Sequence, residues 1–309
     1  MTQSHEICII ACFYNPTGSK VRLANFKDFY RPLKREGIPV YVIEQVIDGA
    51  PSALEGIVEN LKIVRSGSIL WQKERLLNRL ISMLPEQFTK VVWSDVDMLF
   101  GKSPSVWLEA MSKKLDEFQV VHGFSSVNRQ PKYWLPFQKK DCVCSMAKVF
   151  DEWDHSVPFS DDYPTHGHTG YTWGARRSFL EECGLYDTCM SGSGDHLMAH
   201  AFCNDLETGC FDQVFQDNEA YRDHYLLWAE RAAALTGGRM GYVDCELEHL
   251  WHGSPRNRKY RKRDKELISM RFDPAEDLVL TDDGTWNWGP KGQRFVPWAK
   301  EYFRARKER

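Results

Sequence analysis

The sequence predicts an α/β fold: a mostly parallel central sheet with helices on its faces. Three observations predict it. Ile7 to Tyr14 is a continuous apolar run, residues 19–35 place Leu23, Phe26, Phe29 and Leu33 at helical spacing, and Pro39 to Glu44 is apolar again. That β-α-β opening calls for parallel strands joined by a right-handed crossover. Further on, Lys90-Val91-Val92-Trp93-Ser94 is a buried-strand run that ends in Asp95 and Asp97. The carboxyl end of such a strand is where open α/β sheets bind ligands. Finally, 309 residues at 42% hydrophobic content can bury one large α/β core or two small ones.

In order, the first strand breaks at Asn15-Pro16-Thr17-Gly18. The helix over 19–35 ends at Gly37, and a loop over 46–60 leads to a short strand near Leu61–Val64. Trp71 to Leu84 reads as a helix closed by Pro85, with Leu77, Leu80, Ile81 and Leu84 on one face. After the Asp95/Asp97 strand, Ser103-Pro104 starts a helix to about Leu115, and Gln119–His122 is a strand. Residues 125–170 mix aromatics, Pro, Gly and His without clear periodicity. Gly170–Ala175 reads as a strand and Arg177–Glu182 as a short helix. A flexible turn, Ser191-Gly192-Ser193-Gly194, leads to Asp195, placed to cap a helix through about Cys203. Residues 217–235 are helical, and Leu247–Trp251 is a strand. The expected organisation is a ligand-binding half over 1–100, a second half of the same domain over 101–270, and a C-terminal extension over 271–309.

The net charge of −3 excludes a global field for nucleic acid or membrane, although Arg256 to Lys265 carries seven basic residues against Asp264. Nine scattered cysteines with no CxxC pair read as reduced thiols, as in a cytoplasmic protein. No run is long enough for a membrane span.

If the strand continues through Asp95 and Asp97, alternation places both carboxylates on one side, where they suit a hard cation such as Mg²⁺ or Mn²⁺ bridging a diphosphate. Asp195 is placed to serve as a general base for a hydroxyl nucleophile. His196 and His200 share a helical face, but no third ligand of typical zinc spacing accompanies them. Trp173 stands either in the core or as a stacking face for a sugar or base.

Taken together, several segments resemble GT-A-fold glycosyltransferases of the small bacterial and phage type, over roughly residues 6–263. They are Trp71-Gln72-Lys73-Glu74-Arg75-Leu76-Leu77-Asn78, Trp93-Ser94-Asp95-Val96-Asp97 and Gly170-Tyr171-Thr172-Trp173-Gly174-Ala175-Arg176-Arg177. Gly184-Leu185-Tyr186-Asp187, Gly192-Ser193-Gly194-Asp195 and His249-Leu250-Trp251-His252-Gly253 complete the set. The resemblance implies a GT-A (Rossmann-like) fold with a C-terminal acceptor-side extension. It also implies a nucleoside-diphosphate sugar donor, with UDP the default, and a bound Mn²⁺ or Mg²⁺. Under it Asp97 binds the cation, Asp95 binds it through water or contacts the ribose, and His252 supplies a third ligand with His249 as competitor. Arg258 and Arg263 match its phosphate-binding residues. Tyr14, Asn15 and Lys73 fall where base and ribose lie, and Trp173 and Gly194 on the acceptor side. The family's Glu-Asp pair before the acceptor helix is Gly194-Asp195 here. Asp195 as base implies a single displacement with inversion. The acceptor is either a glycan or a hydroxymethylated base in DNA. Two other readings remain: a haloacid-dehalogenase-type phosphatase, whose motif Asp95-Val96-Asp97-Met98 departs from at position 98, and a non-catalytic sugar-binding module of the same fold.

Overall fold

The computed structural model describes residues 6–47, 49–101, 103–133, 140–153 and 163–308. Its strands are β1 (Ile7–Tyr14), β2 (Val40–Ile47), β3 (Asn60–Ser66), β4 (Lys90–Ser94), β5 (Met98–Leu99), β6 (Val120–His122), β7 (Ser126–Arg129), β8 (Asp141–Cys144), β9 (Thr172–Arg176), β10 (Gly241–Tyr242) and β11 (Glu246–His249). Among the described residues, seven of them form one sheet in the order β10-β6-β9-β4-β1-β2-β3. Every pairing in it is parallel except those of β9, which runs antiparallel between β4 and β6. The expected α/β class with a mostly parallel sheet is therefore the observed one.

Both faces of this sheet are covered, so its central strands are apolar throughout rather than alternating with polar residues. Along β4, Val91 and Trp93 point into one core with Leu76, Leu77 and Leu80 of the helix Lys73–Ile81. Val92 points into the other, with Phe26, Phe29 and Leu33 of the helix Lys20–Arg35 and Met111 and Leu115 of the helix Pro104–Glu117. Trp173 faces Trp93 across the β4–β9 pairing, and both are buried. A second sheet, β5-β11-β7-β8, stands beside the first. It forms because Asp97 ends a turn that sends β5 antiparallel to β11, and the Leu250 N–H donates to the Asp97 carbonyl at 2.8 Å.

β1 leads to β2 and β3 on one side while β4 lies on the other. The crevice between the carboxyl ends of β1 and β4 is thus a topological switch point. The C-terminal helix Val296–Ala305 returns to this edge, where Phe303 packs on Tyr14 with ring centroids 5.3 Å apart and on Trp71 at 6.5 Å. None of the described helices is long and apolar enough to cross a membrane. All nine cysteines are free thiols.

Candidate functional site

At the switch point lies a cavity of about 660 Å³, a size that suits a nucleotide-scale ligand. Its acidic wall starts from β4. The strand ends at Ser94, so Asp95 and Asp97 sit on the turn that follows and not on the strand itself. Strand alternation therefore does not align them. The turn is instead pinned by the Asp95 N–H, which donates to the Tyr171 carbonyl at 2.8 Å. Tyr171 holds φ at 80°, a strained value for an aromatic residue, where it stacks on His168.

His252 Nε2 lies 3.2 Å from Asp97 Oδ2, and His249 Nε2 lies 3.6 Å from Asp97 Oδ1. One ligand atom from each of Asp97, His249 and His252 falls within 4.8 Å of the others. The sequence left His249 and His252 as competitors; the structure brings both to the same carboxylate. Asp97 Oδ1 is buried and takes no hydrogen bond, a costly state for a carboxylate oxygen unless something positive meets it. Burial holds the pKa of both imidazoles below the ordinary value, so each keeps a nitrogen lone pair at neutral pH. This donor set of one carboxylate and two neutral imidazoles, with Asp95 beside it, fits a divalent cation.

Lys73 and Asp195 form the adjoining group. Lys73 opens its helix with Nζ turned into the cavity and donates to both carboxylate oxygens of Asp195, at 3.0 and 2.8 Å. It donates to Asp95 Oδ1 at 3.3 Å as well. Burial disfavours its ammonium, yet the carboxylates of Asp195, Asp95 and Glu74 hold its pKa well above the usual lysine value. Burial lifts the Asp195 pKa, with Lys73 pulling it back. Burial likewise pushes Glu74 up to about 7, again against Lys73.

Asp195 is not the cap of its helix. The helix runs Gly194–Phe202 from Ser193, which holds φ at 73°. Gly194 is required sterically, because a Cβ there would meet the Glu74 carboxyl carbon at 2.9 Å. Nor is the preceding turn loose: Ser191 Oγ and Ser193 Oγ donate to the two Asp264 oxygens at 2.6 and 3.1 Å. Arg263 then crosses Gly192 so closely that a Cβ would lie 2.6 Å from its Nη2.

A basic group adjoins the acidic cluster. Arg258, Arg263, Arg22 and Arg306 all reach the cavity. Arg263 Nη1 donates to Tyr302 Oη at 3.0 Å. Glu308 holds Arg22 at 3.2 Å and Arg306 at 2.5 Å. The Arg258 guanidinium lies against His252, 2.6 Å from Nε2.

Of the residues singled out in the sequence, Lys73, Asp95, Asp97, Gly194, Asp195, His252, Arg258 and Arg263 share this cavity. Three do not. Tyr14 is buried among Trp71, Tyr302 and Phe303. Asn15 turns back on its own loop, accepting from the Ser19 N–H at 2.9 Å and donating to the Ser19 carbonyl at 3.0 Å. Trp173 is a core residue, stacked on His122 with centroids 3.9 Å apart, its Nε1 donating to the Thr169 carbonyl at 2.8 Å. Arg22 and Tyr302 carried no signal in the sequence, and Glu74 and Arg306 none that placed them in this cavity, because the fold draws them in from distant segments.

Compared with known proteins, the chain is similar to several solved structures. One is the catalytic domain of a Drosophila β1,4-galactosyltransferase 7 in complex with xylobiose, 11% identical over 95% of this chain and 98% of that one, TM-score 0.41. Another is the Mycobacterium tuberculosis glucosyl-3-phosphoglycerate synthase in complex with Mn²⁺, UDP and glucosyl-3-phosphoglycerate, 12% identical over 92% and 87%, TM-score 0.44. A third is the 4-diphosphocytidyl-2C-methyl-D-erythritol synthase of Anaerococcus prevotii, 12% identical over 77% and 87%, TM-score 0.36. No family model and no curated protein matches the sequence.

Proposed function

We propose that this chain is a metal-dependent glycosyltransferase that moves a sugar from a nucleoside-diphosphate sugar, with UDP the default nucleotide, to an acceptor hydroxyl. The observation that carries the reading is a single cavity that brings Asp97, His249 and His252 together with Arg22, Arg258, Arg263 and Arg306. The carboxylate and imidazoles suit a divalent cation, and the guanidinium groups suit phosphate oxygens. Asp97, His249 and His252 would hold Mn²⁺ or Mg²⁺, with Asp95 alongside. When bound, the cation supplies Lewis-acid neutralisation of the departing diphosphate.

The chain's own residues do the rest. Arg258, whose guanidinium lies against His252, presents a fork for a phosphate oxygen in this reading. Arg263, held by Tyr302, presents a second fork. Asp195 takes the acceptor proton as the new C–O bond forms. Lys73 orients that carboxylate and opposes the rise that burial imposes on its pKa. A base on the acceptor side implies one displacement and inversion at the anomeric carbon.

The burial of Arg263 and Arg306 turns part of the basic segment and C-terminal tail inward, which favours a glycan hydroxyl over a hydroxymethylated DNA base as acceptor. A DNA acceptor would show itself by activity that falls steeply with salt. Against the phosphatase reading, Asp97 stands between two imidazoles. Against the binding-module reading, Lys73 poises a carboxylate beside the cation site. The experiment is release of free nucleotide from a panel of UDP-, GDP- and TDP-sugars with Mn²⁺. Hydrolysis or transfer from one donor, absent in EDTA, supports the reading, and no release from any donor overturns it.

A further inference from the structure

Behind the cavity wall a second group of ligating side chains converges from three separated segments. His166 ends the short helix Tyr163–His166. His196 and His200 lie one turn apart on the helix Gly194–Phe202. Cys210 immediately precedes the short helix Phe211–Val214. One ligand atom from each of His166, His196 and Cys210 falls within 4.8 Å of the other two, and all three residues are buried. His200 adjoins them: its Nε2 lies 3.1 Å from His196 Nε2, and the residue is completely buried.

We propose that His166, His196 and Cys210, with His200 closing the set, form a structural zinc site. Four features of the geometry point there. Nitrogen and sulfur ligands on one tetrahedral zinc stand about 3.3–3.6 Å apart, so the 3.1 Å His196–His200 separation needs to open only by about 0.2 Å. The 4.8 Å limit on the other three asks for a contraction of about 1 Å, within reach of side-chain adjustment. The three imidazoles also lie close together, with ring centroids 5.3 Å apart for His166 and His196, 5.9 Å for His166 and His200 and 4.8 Å for His196 and His200. Outside the set, Asp205 Oδ2 lies 2.8 Å from His200 Nδ1. A carboxylate there fixes the Nδ1–H tautomer and leaves the Nε2 lone pair for a metal, the arrangement typical of zinc-bound histidines.

The donor set of one thiolate and three imidazoles selects zinc over the hard cations that suit the Asp97 cluster. Four protein ligands would fill a tetrahedral zinc, so this site would brace and not catalyse. Binding converts the Cys210 thiol to a thiolate and releases its proton to solvent, forming one Zn–S bond. The metal would tie the segment after the 154–162 stretch to the helix Gly194–Phe202 and to the loop ahead of Phe211. His196 directly follows Asp195, so the first turn of that helix would be fixed from behind. The site is independent of the reading of the cavity.

The test is metal analysis of the full-length protein purified without chelator from zinc-supplemented cells. Elemental analysis should find about one equivalent of zinc per chain after dialysis against Mn²⁺. The zinc should persist in Asp97→Ala and His252→Ala and be lost in Cys210→Ser and His166→Ala. Should those two variants fail to fold, the wild type reconstituted with Co²⁺ decides. A tetrahedral visible spectrum with a near-ultraviolet thiolate-to-cobalt band supports the site, because among the described residues Cys210 is the cysteine that joins a group of three potential ligands. Wild-type protein free of zinc and without that band overturns it. So does zinc that departs with Asp97→Ala or His252→Ala and stays in Cys210→Ser, which would put the metal in the cavity.

Discussion

Gly192→Ala isolates the contact that seats the basic segment on the candidate site. Gly192 holds φ at +100°, and its added Cβ would lie 2.6 Å from Arg263 Nη2 and 3.0 Å from Cζ. Gly237 makes the control, with φ at +61° and nothing within 4 Å of an added Cβ. Forcing an L-residue into the left-handed region costs about 1–2 kcal/mol. Overpacking against a buried group that cannot retreat adds about 1–3 kcal/mol. Arg263 cannot retreat easily, since it is buried and donates to Tyr302 Oη. Gly237→Ala should therefore lose about 1–2 kcal/mol and Gly192→Ala about 2–5 kcal/mol in urea unfolding. The two should part more widely in function. Titration of UDP in the presence of Mn²⁺ should show Gly237→Ala at wild-type affinity and Gly192→Ala weakened about tenfold or more, the equivalent of one displaced charge-assisted hydrogen bond. Equal stability losses and equal affinities for the two variants would refute the claim that Gly192 exists to let Arg263 pass.

Lys73→Met leaves Asp195, Asp95 and Glu74 without their shared cation; nucleotide release should fall by about 10²-fold or more while the far-ultraviolet spectrum stays folded. Steady-state kinetics would contradict the positioning role if kcat held within a factor of about two. Trp173→Phe should lower the unfolding midpoint and leave acceptor KM unchanged, because Trp173 packs on His122 in the core; a selective rise in acceptor KM would return it to the sugar-stacking role. Burial lowers the His122 pKa to about 3, against the hydrogen bond from its Nε2 to the Gly170 carbonyl. The unfolded chain takes up this proton below about pH 6.5 and the folded one does not until about pH 3, so stability is lost as pH falls through that window, by up to about 1.4 kcal/mol per unit. Urea melts across it should show a shallower decline for His122→Phe than for wild type, and parallel declines would rule out this contribution.

The parts of the fold that local chemistry dictates were legible in the sequence. β1, β2 and β4 are largely apolar because both faces of the sheet are covered, and the helices Lys20–Arg35 and Glu219–Thr236 lie within two residues of where periodicity and breakers put them. The second sheet was not legible. β7 and β8 are short, and β7 pairs with β11 about 120 residues downstream, so no local pattern marks them. Asp95 and Asp97 were found by their spacing, but the reason given for their alignment does not hold: a turn pinned by Tyr171 and Leu250 positions them, not strand alternation. Likewise Asp195 was identified although its role as helix cap falls to Ser193. Trp173 and Tyr14 drew attention as aromatics near motif residues, and burial against other aromatics explains them fully. The place of Arg22 and Arg306 in the cavity was not legible, because it comes from the helix Lys20–Arg35 and the C-terminal segment meeting at one edge. The same holds for His166 and Cys210, since the spacing of His196 and His200 was visible and their partners arrive only through the tertiary fold.

Metal-dependent nucleotide release in wild type and Asp97→Ala side by side tests the central claim most directly. The two proteins would be incubated with UDP-sugars in Mn²⁺ and in EDTA, with free UDP quantified over time. The account predicts release from at least one donor by wild type in Mn²⁺, abolished by EDTA and reduced by about 10³-fold or more in Asp97→Ala, the scale on which loss of a Lewis acid is felt. Release that is indifferent to EDTA and to Asp97→Ala, or wild-type protein that neither releases UDP nor is thermally stabilised by UDP with Mn²⁺, would contradict it.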